Sequence, residues 1–227
     1  MMTWTTLYAS FLDGAPPALP VAWAMRVELV LGWALVLAWL AALLGARLAP
    51  RWRWGLVLLV FLWTCIPGPL APAYWLGLAF QAPSLSAVLL AAWGLRVRLW
   101  PGAARARADA SPVYLLMLLC AVVLGYVLLL DTLGWVHFSL YYQGFAVLPL
   151  AVALGLALVL ALWAPAGAAL RLARTLVLVL LLFALTRLPS GNVWDALLDP
   201  WLWLLAHASA LRAYAALRAA QRAQRSA

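Results

Sequence analysis

The sequence predicts an all-α fold: a polytopic transmembrane bundle of seven helices, N-terminus outside and C-terminus inside. Three observations predict it. Mean hydropathy is +1.04, and only 9% of residues are charged, where a soluble domain carries about a quarter. All fifteen basic residues are arginine. Thirteen of them gather at Arg47/Arg51/Arg53, Arg96/Arg98/Arg105/Arg107, Arg171/Arg174 and Arg212/Arg218/Arg222/Arg225, with apolar runs between, and Arg26 and Arg187 stand apart. Arginine clusters between apolar spans mark the cytoplasmic ends of membrane helices.

The net charge of +9 is therefore expected to face anionic lipid headgroups, not nucleic acid. No stretch is long and polar enough for a soluble domain, so residues 1–227 read as one integral membrane domain. No basic region precedes the first apolar segment, and the first cluster follows it. Both features predict an N-terminus outside and an uncleaved first helix. The expected location is the bacterial cytoplasmic (inner) membrane.

A hydrocarbon core about 30 Å thick needs about 20 helical residues. The first span is 21–46, and Pro50 breaks the chain in the basic turn that follows. The second span, 55–66, stops at Pro67, Gly68 and Pro69, with Pro72 close behind. These prolines remove donors and clash with the preceding turn. The third span, 84–99, ends at Arg96 and Arg98. Basic loops flank this pair of spans, so the chain between them crosses an even number of times. Segment 67–82, with Tyr74, Trp75 and Phe80, then lies in the outer interface or re-enters. A re-entrant hairpin gives the alternative count of six helices.

Pro101 and Gly102 break the next basic loop. The fourth span, 112–130, places Pro112 in a tolerated first-turn position and ends outside at Asp131. Aromatic segment 132–143 suits an interfacial helix or lid. The fifth span is 144–163, and Pro165 and Gly167 turn the chain inside. The sixth is 170–188, followed by the turn Pro189-Ser190-Gly191-Asn192. The seventh is 200–217. Asp199 is placed to cap it, because its carboxylate accepts from free N–H groups, and Pro200 lacks the one left unpaired. Residues 218–227 form a basic cytoplasmic tail.

Candidate functional residues fall on the outer side. Arg26 and Glu28 lie about two turns inside the first span, where ionisable groups either snorkel to the interface or line a polar site. At i,i+2 they point to different faces and do not pair with each other. Asp195 and Asp199 are four residues apart and would share a helical face as paired carboxylates. Capping explains both as well: Asn192 with Asp195 on a short helix, and Asp199 on the last span. An ion pair from Arg187 to either aspartate would close the outer loop. Asp131 and His137 complete the outer polar set. His207, with Ser209 nearby, reads as an interhelical hydrogen-bond partner. The two histidines are expected at different depths, so no haem is expected. Cys65 and Cys120 read as small buried hydrophobes, and no metal site is expected.

There is no P-loop, GxSxG or HExxH. With no lysine, a retinal Schiff base cannot form. The expected function is that of a non-enzymatic subunit, anchor or assembly partner in a cell-envelope membrane complex. Its partners would be the bilayer and other membrane subunits. One alternative is a small solute or ion transporter with its site at the proline-broken spans together with Arg26 and Glu28. A second is an outer-leaflet enzyme using Asp131, His137, Asp195 or Asp199.

Overall fold

The computed structural model describes residues 19–100, 111–136 and 139–225. His137, and Arg105 and Arg107 of the second basic cluster, lie outside the described residues. Among the described residues the chain is helical, without strands. In chain order the helices are α1 Ala22–Leu44, α2 Pro50–Thr64, α3 Pro72–Phe80, α4 Leu85–Leu99, α5 Pro112–Thr132, α6 Leu140–Gln143, α7 Val147–Trp163, α8 Ala168–Thr186, α9 Val193–Leu197 and α10 Pro200–Arg225.

Three helical segments are long and apolar enough to cross a membrane: Ala22–Arg47 (α1 with the 3₁₀ turn that extends it), α5 and α8. This marks the chain as a membrane protein. Helices α2 and α4 have 15 residues each and rise only about 22 Å at 1.5 Å per residue. Helix α10 has the length, but His207, Ser209 and Arg212 dilute its apolar half, and it is not among the three.

Small residues let these helices approach closely, the usual device of membrane bundles. Buried Ala34, Ala38, Ala41 and Ala42 give α1 a flat face, which packs on α2 and α4. A Cβ on Gly94 would collide with the Trp39 indole. Helix α8 buries Val179, Leu180 and Phe183 completely, against α4, α7 and α9. Met117 with Ala169 and Ala173 joins α5 to α8. Helix α10 packs mainly on α5. There the Trp203 indole lies where a Cβ on Gly125 would sit, and it donates to Val122 O at 3.0 Å.

Several expectations need correction. Arg51 and Arg53 are helical, because Pro50 opens α2 at its first position instead of only breaking the chain. The joining segment 67–82 contains α3, again opened by a proline. Cys120 is exposed and Cys65 is only half-buried. The reason for Cys120 is that α5 turns an apolar face outward, with Leu116, Leu119 and Val123 exposed beside it.

The proline break is tied internally. Trp63 Nε1 donates to Leu70 O at 2.9 Å, and Trp75 Nε1 donates to Pro69 O at 2.8 Å. Gly68 takes φ +88° between them, a conformation that costs other residues dearly.

The two ends of the bundle differ in kind. One end gathers the C-termini of α1 and α4 and the start of α2. There Arg53 donates to the carbonyls of Gly45, Ala46, Leu48 and Arg98. The other end gathers the N-termini of α1, α4 and α10 and the turn after α8, around a cavity.

Candidate functional site

The cavity end is assembled around two aspartates. Asp199 stands immediately before α10, whose first residue is Pro200. One carboxylate oxygen accepts from Leu202 N–H at 2.7 Å, as an N-cap does. The other accepts from both Ser84 N–H at 2.9 Å and the Ser84 hydroxyl at 2.8 Å. Ser84 is itself the N-cap of α4, accepting from Ala87 N–H at 3.1 Å. A single carboxylate therefore joins the N-termini of two long helices, each of which presents roughly half a positive charge.

Asp195 belongs to the short α9. That helix ends at Leu197, and Leu198 is extended, so no continuous helix places Asp195 and Asp199 on one face. The Asp195 carboxylate accepts from the Tyr141 hydroxyl at 2.9 Å and from the Ser190 hydroxyl at 2.5 Å. Burial first, then the charge of Asp195 and the hydrogen bond to it, holds the Tyr141 phenol above its usual range, so it remains a donor. Tyr141 also ties in Asp131, whose carboxylate accepts from Tyr141 N–H at 2.7 Å.

Asn192 locks this arrangement from beneath. It is completely buried and caps α9 by accepting from Trp194 N–H at 2.9 Å. Its amide donates to Tyr141 O at 2.8 Å, and Trp194 Nε1 donates to Leu140 O at 2.8 Å. Gly144 supplies the room, since a Cβ there would overlap the Asn192 side chain.

Above this floor lies a cavity of about 660 Å³, within the range of small-molecule sites. One wall is the Met25, Arg26 and Leu29 face of α1, and a second is Gly77 and Phe80 of α3 with Gln81 beyond it. The third is Tyr141, Ser190, Asp195, Leu198 and Asp199. Gln81 holds φ +61° and ψ −154°, a region that glycine alone visits readily. Its carbonyl is fixed there by Trp33 Nε1 at 2.7 Å.

Of the residues singled out from sequence, Arg26, Asp195 and Asp199 line the one cavity. Arg26 is exposed. Among the described residues it has no hydrogen-bond or ion-pair partner. Asp131 lies one residue removed, through Tyr141. Glu28 does not line the cavity. It is buried, at 8% exposure, and neither carboxyl oxygen has a hydrogen-bond partner among the described residues. Arg187 caps α8 in a left-handed conformation with φ +58°. Its guanidinium lies over the Phe183 ring at 5.4 Å. The expected ion pair to Asp195 or Asp199 is not present among the described residues, because hydroxyls and amides already surround both carboxylates.

The remaining candidates lie elsewhere. His207 joins α10 to α5, with Nδ1 2.8 Å from Trp203 O and Nε2 3.3 Å from the Tyr126 hydroxyl. Ser209 takes no part in that contact. Pro67, Gly68, Pro69 and Pro72 stand outside the cavity lining, although α3, which they introduce, contributes to it. No group of three or more His, Cys, Asp or Glu converges among the described residues.

Sequence reasoning missed Ser84, Gln81, Tyr141 and Ser190. Ser84 had a local signal, a serine opening an apolar run after Pro83. Tyr141 had none, because its role comes from Asp195, 54 residues away. Comparison with protein-family models, with curated proteins and with solved structures gives no match.

Proposed function

We propose that the protein is a non-enzymatic multi-pass protein of a bacterial cytoplasmic membrane, serving as subunit, anchor or assembly partner in a cell-envelope complex. Seven crossings place the arginine end in the cytoplasm and the cavity end outside, by the positive-inside rule. The short α2, α4 and α7 cross by drawing interfacial residues inward and thinning the bilayer locally.

The observation that carries the subunit reading is α5. Its spanning stretch is apolar, yet only 6% of that stretch is buried. A face of that size is available to a neighbouring membrane subunit, and α10 beside it extends an arginine-bearing arm to Arg225. The non-enzymatic part rests on the aspartates. General acid–base work needs a carboxylate free to exchange a proton with substrate, whereas Asp195 and Asp199 are both held by structural donors.

Mild detergent extraction followed by size analysis tests the reading. A stoichiometric partner that crosslinks through Cys120 on α5 is expected. A stable protein that stays alone, with Cys120 freely labelled in native membranes, would overturn it. For the orientation, Ser190→Cys should react with a membrane-impermeant thiol reagent in intact cells, and Arg225→Cys only after lysis.

A second reading, a small-solute transporter, is favoured by Glu28. A carboxyl buried in a membrane span with no hydrogen-bond partner among the described residues marks a functional site by default, and Glu28 stands on the same helix as the cavity-lining Met25, Arg26 and Leu29. Uptake into proteoliposomes that needs a proton gradient and is lost in Glu28→Gln would establish it; no uptake across a solute panel would remove it.

A further inference from the structure

The cavity charges do not cancel locally, and their arrangement selects a ligand. Asp199 is matched by the N-termini of α4 and α10, to which it is hydrogen-bonded. Asp195 has no such match. Its donors, Tyr141 and Ser190, are neutral hydroxyls, and α9 is too short to offer a dipole. Arg26 lacks a partner among the described residues. The lining thus retains one uncompensated positive charge on the α1 wall and one uncompensated negative charge on the α9 wall. A simple anion would meet Asp195, and a simple cation would meet Arg26. Met25, Leu29, Phe80 and Leu198 make the surface between them apolar.

We propose that this cavity binds a zwitterion, a primary ammonium and an anionic oxygen group on one short frame, with Arg26 holding the anion and Asp195 the ammonium. The guanidinium offers several donors in a fork suited to phosphate or carboxylate oxygens. The Asp195 carboxylate has about four lone-pair sites in all; both hydroxyls lie on Oδ2, and Oδ1 has only the longer 3.2 Å approach of the Tyr141 hydroxyl, so acceptor capacity remains on Oδ1 for an ammonium N–H. A phospholipid headgroup and a soluble phosphoethanolamine-like molecule share this chemistry. The proposal goes beyond the subunit reading and does not depend on it.

The purified full-length protein is tested by native mass spectrometry against phosphatidylethanolamine, phosphatidylglycerol and phosphatidylcholine. Soluble phosphoethanolamine is added as competitor. Phosphatidylethanolamine is expected to bind about tenfold more tightly than the other two, the worth of one charge-assisted hydrogen bond. Phosphatidylglycerol lacks the ammonium, and the quaternary ammonium of phosphatidylcholine has no N–H to donate. Arg26→Gln should weaken phosphatidylethanolamine and phosphatidylglycerol alike. Asp195→Asn should weaken phosphatidylethanolamine alone and leave phosphatidylglycerol equal or tighter. A merely damaged cavity would lose both, so the opposite responses separate recognition from misfolding. Arg26 is exposed, and its variant tests the proposal even where Asp195→Asn fails to fold. Competition by phosphoethanolamine identifies the soluble form, and binding without competition identifies the lipid. A preference for phosphatidylglycerol, or phosphatidylethanolamine binding unchanged in Arg26→Gln, overturns the proposal.

Discussion

The arginine end and the cavity end of this bundle use charge in opposite ways. At the arginine end Arg53 meets only backbone carbonyls, four of them, at the C-terminal turns of α1 and α4. Those carbonyls are the groups that helices leave unpaired, and a cation suits the negative end of the helix dipole. At the cavity end the logic is reversed. Asp199 meets the unpaired N–H groups of α4 and α10, and Asp195 meets two hydroxyls. One end is closed by cations on carbonyls and the other by carboxylates on donors. The second surrounds a cavity, because its caps are short side chains that draw helix ends together without filling the space between them. Arg53, by contrast, lays a long side chain across its gap.

The largest effect expected from breaking this contrast is at Asp199. Asp199→Ala removes the cap of α10 and leaves the buried Ser84 donors without their acceptor. Thermal unfolding in detergent should report a loss of about 3 kcal/mol, the sum of a cap and a charged hydrogen bond. Asp199→Asn, which keeps an acceptor, should recover part of it; equal loss in both variants would mean that acceptor geometry is not what joins the helices.

The matching change at the other end is smaller. Arg53→Ala exposes carbonyls that water can reach, and about 1–2 kcal/mol is expected. A loss as large as that of Asp199→Ala would erase the distinction between a solvated and a buried cap. Arg53→Lys should not restore stability, because an ammonium cannot reach several carbonyls as a guanidinium fork does.

The Tyr141–Asp195 bond sharpens the comparison through pH. The folded phenol is held above its ordinary value of about 10, so its contribution is complete below that pH and is lost as pH rises toward the folded value. Tyr141→Phe has no such titration. The wild-type advantage over it, about 1 kcal/mol near neutrality for one hydrogen bond, should shrink above pH 10. An advantage constant to higher pH would show that the phenol is not raised.

The smallest effect is at Gln81. A glycine there relieves a conformation worth about 1–3 kcal/mol of strain but adds unfolded-state entropy. A net gain of up to about 1 kcal/mol is expected from the same unfolding measurement. A loss would mean that the Gln81 side chain contributes more at the cavity wall than its backbone costs.

Much of the fold was legible because its signals are local. The helix starts at Pro112 and Pro200 follow from a residue that lacks the N–H a first turn leaves unpaired, whereas Pro50 and Pro72, read only as breaks, open helices for the same reason. The caps Asn192 and Asp199 were readable in the same way. The exposure of Cys120 was not, because an apolar run in a membrane protein has no inside until its neighbours are placed. Nor was the fate of Arg187, whose choice between an aspartate and the Phe183 ring depends on which donors reach the aspartates first.

By itself, the sequence determined where the apolar runs lie, where prolines interrupt them, and which ends carry the arginines. Those properties depend on backbone donors and on transfer free energies, which each residue carries wherever it stands. Only the tertiary structure decided that Arg26, Asp195 and Asp199 line one cavity, that Glu28 does not, and that Ser84 reaches Asp199 across 115 residues. Such meetings depend on how small residues let α1, α4 and α8 approach, and close packing is a property of surfaces in contact rather than of any one segment.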